Sequence, residues 1–127
     1  MVKINTYKEL MIWQQGIEIA KEVYAICKNL PDDEKFGLSQ QLKRSATSIS
    51  ANIAEGWGRK GNKANAQFIR IAIGSANELD THLFLCKELQ FISDEIYLQI
   101  EQQITSEIKM MSAFIANLKT YSATQIK

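Results

Sequence analysis

The sequence predicts an all-α protein, an antiparallel up-down-up-down four-helix bundle in a single domain spanning residues 1–127. Apolar residues recur at steps of three and four in four separate segments, which is the spacing of one helix face. The chain has a single proline, Pro31, which lies between the first two segments, and this favours long uninterrupted helices. The connections are short, and short connections make successive helices antiparallel neighbours. We therefore expect helices over roughly 7–30, 38–55, 63–90 and 94–120.

The first helix is predicted to open at a capping-box pattern, Thr6-x-x-Glu9, and to end at Leu30-Pro31. Two apolar series run side by side along it, and together they are wider than one bundle seam requires. One series consists of Leu10, Trp13, Ile17, Ala20, Tyr24 and Cys27. The series beside it consists of Ile12, Gly16, Ile19, Val23, Ile26 and Leu30.

The second helix is rich in small residues between Ser45 and Ala54, and small residues let helices approach closely. We expect it to stop at Gly56, where a glycine supplies the left-handed cap. Asn62 is the predicted N-cap of the third helix. The inner face of the second helix comprises Leu38, Leu42, Ser45, Ile49 and Ile53.

The third and fourth helices carry one apolar stripe each. Ser93 is the predicted N-cap of the fourth helix, with Asp94 and Glu95 near its positive end. The third stripe consists of Phe68, Ala72, Ser75, Leu79, Leu83 and Cys86. The fourth consists of Tyr97, Ile100, Ile104, Ile108, Met111, Ile115 and Leu118.

Five residues of the second and third helices are assigned structural roles rather than chemical ones. Pairing these helices across their turn places Arg44 level with Glu78, so we expect a partly buried ion pair that sets the helix register. Breaking such a pair costs on the order of 3 kcal/mol. The full set is Arg44, Asn52, Glu55, Gly56 and Glu78.

Few residues are suited to catalysis. His82 is the only histidine, too few for a zinc or di-iron site, and Cys27 and Cys86 lack CxxC spacing. The glycines from Gly56 to Gly61 have GxGxxG spacing but follow a helix, whereas the nucleotide-binding fingerprint requires a preceding strand. We expect no enzyme, no metal and no cofactor.

Basic residues are concentrated in one part of the chain. Between Lys35 and Arg70 there are seven Lys and Arg residues and a single acid, Glu55, although the whole chain carries a net charge of only +1. A solvated surface is the simplest interpretation, but the same cations would hold phosphates of RNA or DNA, and a tryptophan would stack on a base. The candidate nucleic-acid-binding residues are Lys43, Trp57, Arg59, Lys60, Lys63 and Arg70.

Some apolar surface exceeds what an isolated bundle needs. We assign to this surplus Ile12, Ile19, Val23 and Ile26, with Ile69 and Ile73 on the outer side of the third helix. Exposed apolar patches mark protein contacts, so we expect a homo-oligomer, and closed rings are the usual outcome. The N-terminus lacks a signal-peptide core and no apolar run spans a bilayer, which favours a cytoplasmic protein.

Several motifs together resemble the 23S rRNA intervening-sequence protein family, also labelled S23 ribosomal proteins. They are Ile12-Trp13-Gln14, Val23-Tyr24, Leu30-Pro31-x-x-Glu34-x-Phe36-Gly37-Leu38-x-x-Gln41, Lys43-Arg44-Ser45-Ala46-x-Ser48-Ile49, Asn52-Ile53-Ala54-Glu55-Gly56, Gly58-Arg59 and Gly74-Ser75-x-x-Glu78-Leu79. The resemblance implies a bacterial four-helix bundle with no enzymatic activity. It departs at Ser50, where the family generally has proline, and we expect a more regular second helix here.

A branch similar to this family is the accessory protein of diversity-generating retroelements. That branch forms a five-fold barrel, binds nucleic acid and contacts a reverse transcriptase, so the resemblance implies a homopentamer. Two functions follow as hypotheses: an oligomeric nucleic-acid-binding protein that favours structured RNA, or a scaffold or accessory subunit for an enzyme such as a reverse transcriptase. An enzyme with a site in the bundle core is a third hypothesis, disfavoured by the missing ligands and bases.

Overall fold

The computed structural model describes residues 4–125, and their side chains as far as Leu118. The expectation that the N-terminus lacks a signal-peptide core includes Met1–Lys3, and these residues lie outside the described residues. The elements are α1 (Met11–Cys27), α2 (Leu38–Trp57), α3 (Asn62–Glu88) and α4 (Asp94–Gln125), with 3₁₀ turns at Tyr7–Glu9 and Asp32–Glu34. No strand occurs within residues 4–125. The predicted all-α fold is confirmed.

The four helices contact one another in a closed cycle, α1 with α2, α2 with α3, α3 with α4 and α4 with α1. Two contacts fix α2 and α3 as antiparallel, because the ion pair between Arg44 and Glu78 lies one turn from the hydrogen bond between Ser48 and Ser75. The contact between α2 and α3 is the most extensive, and the contact between α1 and α4 is the smallest.

The face that α1 buries differs from the expectation. Ile19 and Val23 are fully buried and Ile12 is nearly so, whereas Ile17 and Tyr24 of the other series are 36% and 45% exposed. The predicted surplus flank is therefore wrong for Ile12, Ile19 and Val23, and equally for Ile69, which is fully buried. Ile26 and Ile73 are partly buried and pack against the core.

Close packing explains this choice of face. Gly16 belongs to the buried series, and a Cβ atom there would collide with Ser50 Oγ of α2. The missing side chain lets α1 and α2 approach closely on this face of α1. The apolar series that contains Gly16 is therefore the one that the core buries. Both series satisfied the helical period, so periodicity alone did not separate them.

The predicted starts of two helices also differ. Thr6 Oγ1 accepts from Lys8 N at 3.4 Å, but this cap serves the first 3₁₀ turn, and α1 begins only after the extended residue Leu10. Gly61, with a φ of 87°, precedes α3 as its N-cap, so Asn62 is a helical residue rather than the cap. Ser93 caps α4 as predicted, because its Oγ accepts from Ile96 N at 3.1 Å.

Gly56 is required for packing and not as a left-handed cap. It lies inside α2, which continues to Trp57. A Cβ atom at Gly56 would lie 2.7 Å from Asn65 Oδ1 and 2.9 Å from Phe68 Cβ of α3. Any larger residue would push the two helices apart. Among residues 4–125, no helix combines the length and apolar content needed to cross a membrane.

Candidate nucleic-acid interface

Basic residues are concentrated around the turn between α2 and α3. Arg59 and Lys60 lie in the turn, Lys63 lies in the first turn of α3, and Arg70 follows on the same helix. All four are exposed. Lys63 and Arg70 are seven positions apart, so they share one face and are separated by about 10 Å along the axis. We call these four residues the basic turn.

Three of these cations are uncompensated. Arg59 forms an ion pair with Glu55 at 3.1 Å, and its guanidinium lies 4.9 Å from the centre of the Phe68 ring. Lys60, Lys63 and Arg70 have no acidic group within 4.0 Å in the part of the chain whose side chains are described. No acid occurs in the sequence between Glu55 and Glu78.

Lys43 lies apart from the basic turn. Its ammonium lies 5.0 Å from the centre of the Tyr24 ring, so it faces α1. It also lies about 20 Å from the end of α2 along the helix axis. Arg59, Lys60 and Lys63 thus lie at or next to the turn, and Arg70 lies two helical turns further along α3. Lys43 lies on another surface.

Trp57 is the last residue of α2 and is partly buried. It packs against the hydrophobic core, so part of its ring already has apolar neighbours. The ring therefore contributes to holding the end of α2, and only its remaining surface is open to a ligand.

Polar side chains line the seam between α2 and α3. Arg44 Nη2 donates to Glu78 Oε2, and this bond holds the pKa of Glu78 below its usual value. The expected ion pair is present, but its side chains are 54% and 37% exposed. A pair this exposed contributes only about 0.5 kcal/mol, less than the value expected for a partly buried one.

Asn52 extends the same seam. Its Nδ2 donates to Ser48 O at 2.8 Å and to Ser48 Oγ at 2.9 Å. Ser48 Oγ in turn lies 2.8 Å from Ser75 Oγ on α3. The side chain of Asn52 thus orients a hydroxyl that joins the two helices.

The groups that would be needed for catalysis are dispersed. His82 Nε2 lies 3.4 Å from Glu78 Oε2 on a partly exposed helix face. Both cysteines are free, and burial raises the pKa of Cys27 and raises that of Cys86 to about 11, which disfavours the nucleophilic thiolate. No group of three His, Cys, Asp or Glu residues suited to a metal ion occurs among the described residues.

Sequence reasoning missed one unusual residue, Glu107 of α4. Its side chain is fully buried, and neither carboxylate oxygen has a hydrogen-bond partner. Burial raises its pKa to about 8. The signal was present in the spacing, because Glu107 lies between Ile104 and Met111 on the inner face of α4.

The family of the chain is decided by a match to a family model. The model describes the 23S rRNA-intervening sequence protein, and it matches residues 8–113. The chain belongs to the 23S rRNA-intervening sequence protein family. No curated protein matches it.

A solved structure supports the same assignment. A crystal structure of an S23 ribosomal protein family member from Bacteroides thetaiotaomicron VPI-5482, described as a protein of unknown function, is 29% identical to this chain. The two structures superpose over 83% of this chain and 98% of the Bacteroides chain, with a TM-score of 0.77. The description of this 23S rRNA-intervening sequence family names no catalytic activity.

Ser50 has a specific contact in this member of the 23S rRNA-intervening sequence family. Its Oγ donates to the carbonyl oxygen of Trp13 at 3.0 Å, which ties α2 to α1. The helix is continuous from Leu38 to Trp57. A proline at this position would have no hydroxyl to make the bond.

Proposed function

We propose that this member of the 23S rRNA-intervening sequence family is a non-enzymatic, cytoplasmic, oligomeric protein that binds structured RNA through the basic turn. The observation that carries the proposal is a set of three exposed cations without acidic partners, Lys60, Lys63 and Arg70, at the α2–α3 turn and along the start of α3. Exposed cations without acidic partners are free to replace the counterions of a phosphate backbone. Arg59 adds a fourth cation if phosphate displaces Glu55.

Phosphate contacts, rather than base contacts, are the proposed mode of binding. Lysines carry flexible point charges, which suit phosphates and carry no sequence information. Trp57 packs against the core, so it offers less stacking surface than a free aromatic ring would. Binding is therefore expected to depend steeply on salt and little on sequence.

Assembly strengthens the proposal, because a few cations on one copy bind weakly and several copies act together. We propose a homo-oligomer, with a pentamer as the expected size. The surface available for it on α1 includes Ile17 and Tyr24, which are 36% and 45% exposed. Apolar residues exposed in this way are typical of contacts between proteins.

A second candidate function rests on the opposite end of the bundle. Phe84 and Leu85 at the end of α3, Leu89 after it and Ile96 at the start of α4 are all exposed apolar residues. A protein partner at this end, such as a nucleic-acid enzyme of the reverse transcriptase class, would leave the basic turn free for RNA. The chain would then be a scaffold or accessory subunit.

The test measures binding of a fluorescently labelled RNA duplex of about 20 base pairs by anisotropy. The triple variant Lys60→Ala, Lys63→Ala and Arg70→Ala is expected to bind at least about tenfold more weakly and to show a shallower salt dependence. The matched control removes three exposed lysines elsewhere, Lys21, Lys28 and Lys109, and lowers the net charge equally.

Equal losses in both variants would mean that net charge, and not the basic turn, governs binding. No binding by the unmodified protein at about 50 mM salt would contradict the RNA function altogether. Light scattering measures the mass of the assembly, and a monomer would contradict the proposal that several copies combine their basic turns. Copurification of a protein that survives nuclease treatment would favour the scaffold instead.

A further inference from the structure

Glu107 is a buried acid without a partner, and it has no part in the proposed RNA function. Its side chain is 0% exposed, and both carboxylate oxygens lack a hydrogen-bond donor. Isolated buried carboxylates are rare, because an ionised group in apolar surroundings is strongly disfavoured. The position therefore needs a physical explanation.

Small residues on the facing helices make room for this side chain. A Cβ atom at Gly16 of α1 would lie 3.3 Å from Glu107 Oε2 and 3.3 Å from Ile49 Cγ2 of α2. On α3, the bonds of Tyr97 with Asp80 and of Asn62 with Leu118 place Ala72 at about the level of Glu107. The nearby hydroxyl of Ser50 donates to the Trp13 carbonyl and not to Glu107.

No opposite charge compensates the carboxyl group. Burial is the sole cause of its raised pKa, with no contribution from a neighbouring charge. The titratable groups of the helices at the levels nearest to Glu107 are exposed or partly exposed at the surface, and Glu78 is held by Arg44. At the levels nearest to Glu107 they are Glu18, Lys21 and Glu22 on α1, Lys43 and Arg44 on α2, Arg70 and Glu78 on α3, and Glu101 and Lys109 on α4.

Gly16 of α1 lies beside Glu107 of α4, and the contact between these two helices is the smallest of the four. A groove of about 530 Å³ lies along this seam, with Met11 and Gln15 on α1. On α4 it is lined by Gln103, Ser106 and Met110, which flank Glu107 in the sequence. Across the seam Gln103 Nε2 donates to Glu22 Oε1 at 2.9 Å in an exposed bond.

We propose that Glu107 is a proton-controlled switch of the α1–α4 seam: the neutral carboxyl group keeps the seam closed, and its ionisation loosens α1 from α4. The ionised group must be hydrated, and the groove beside it is where water enters with the least disruption. The exposed bond between Gln103 and Glu22 is readily exchanged for bonds to water. The other three helix contacts stay in place because they are more extensive.

The direction of the pH dependence follows from the pKa. The carboxyl group has an ordinary pKa of 4.5 and a folded-state pKa of about 8. Between these values the folded protein retains a proton that the unfolded chain has lost. Stability therefore falls as pH rises through this interval and levels off above the folded-state pKa.

The first experiment measures the melting temperature from pH 5.5 to pH 8.5 for the unmodified protein and for Glu107→Gln, which has nearly the same shape and no charge. The melting temperature of the unmodified protein is expected to fall by at least about 5 °C, and most of this fall disappears in the variant. The control Glu95→Gln, at an exposed position of α4, retains the fall. Equal pH dependence in Glu107→Gln and the unmodified protein would overturn the proposal.

The second experiment separates movement of α1 from a change in stability alone. In the Trp13→Phe, Trp57→Phe background, Met110→Trp places the only tryptophan of the chain at the groove between α1 and α4. Its emission in the native protein is expected to shift to longer wavelength above pH 8, and Glu107→Gln abolishes the shift. A pH-dependent melting temperature with unchanged emission of this tryptophan would show that the seam stays closed and would overturn the switch.

Discussion

The α2–α3 contact and the α1–α4 contact place polar groups between helices in opposite ways. In the first, Ser48 bonds with Ser75 and Arg44 with Glu78, near the edge of the core. In the second, one exposed bond joins Gln103 to Glu22, and the side chain of Glu107 is fully buried without a hydrogen-bond partner. Only one buried side-chain oxygen of the α2–α3 contact, Asn65 Oδ1, lacks a partner among the described residues.

The polar groups of the two contacts therefore have different roles. Those between α2 and α3 define the alignment of two helices, and the acid at the α1–α4 contact controls how stability depends on pH. Paired groups at half-exposed positions reject shifted alignments of two helices, although each contributes little free energy. An unpaired acid in the core does not select an alignment by bonding, but it makes the stability depend on its protonation. The α2–α3 contact is thus the invariant part of the bundle, and the α1–α4 seam is the adjustable part.

The largest expected effect comes from disturbing the close approach of α2 and α3. Gly56→Val places carbons where Asn65 Oδ1 and Phe68 Cβ already lie within 3 Å of a Cβ position, so we expect a loss of about 3 kcal/mol in the free energy of unfolding. The control is Gly74→Ala, because nothing lies within 4 Å of a Cβ atom there. It should gain up to about 1 kcal/mol from helix propensity. Urea unfolding measures both, and equal effects would contradict a packing role for Gly56.

The next effect comes from removing the unpaired acid. Glu107→Met keeps the size of the side chain and removes the buried carboxyl group, so the protein should gain about 2 kcal/mol at pH 7. The gain should be larger at pH 8.5 than at pH 5.5, because the cost of ionisation is removed. Urea unfolding at the three pH values measures it. A loss of stability at all three would mean that the carboxyl group makes a favourable contact.

The smallest effect concerns the exposed ion pair. A double-mutant cycle with Arg44→Ala and Glu78→Gln should give a coupling free energy of about 0.5 kcal/mol at low salt and close to zero at about 1 M salt. Arg44 lowers the pKa of Glu78, so the contribution is present above the ordinary value of 4.5 and is lost as pH falls below it. Coupling that persists in high salt would instead indicate a buried interaction.

Local patterns were sufficient to predict much of the fold. The inner stripe of α2, the cap at Ser93 and the level of Arg44 with Glu78 follow from spacing and short connections, and the structure has them. Of the predicted α3 stripe, Ala72, Leu79, Leu83 and Cys86 are buried, whereas Phe68 and Ser75 are only partly buried. These features depend on neighbours in sequence or on two helices joined by one turn. The clustering of Arg59, Lys60 and Lys63 follows for the same reason, since they are close in the chain.

Other features depended on contacts that no local pattern contains. The buried face of α1 is selected by Gly16 meeting Ser50, and Lys43 is separated from the basic turn by the length of α2. Glu107 has the spacing of a core residue and the chemistry of a surface residue. Its environment depends on three other helices, so its burial was decided only when all four packed.

The amino-acid sequence by itself determined that the chain forms four helices, where their connections lie and which two neighbours pair through small residues. These outcomes follow from backbone propensity and from periodicity, which act over a few residues. The tertiary structure alone decided which of two equal apolar faces of α1 is buried, and that an acid occupies the core without a partner. Both depend on the volume left by residues from several helices, because close packing is a collective property of the whole core.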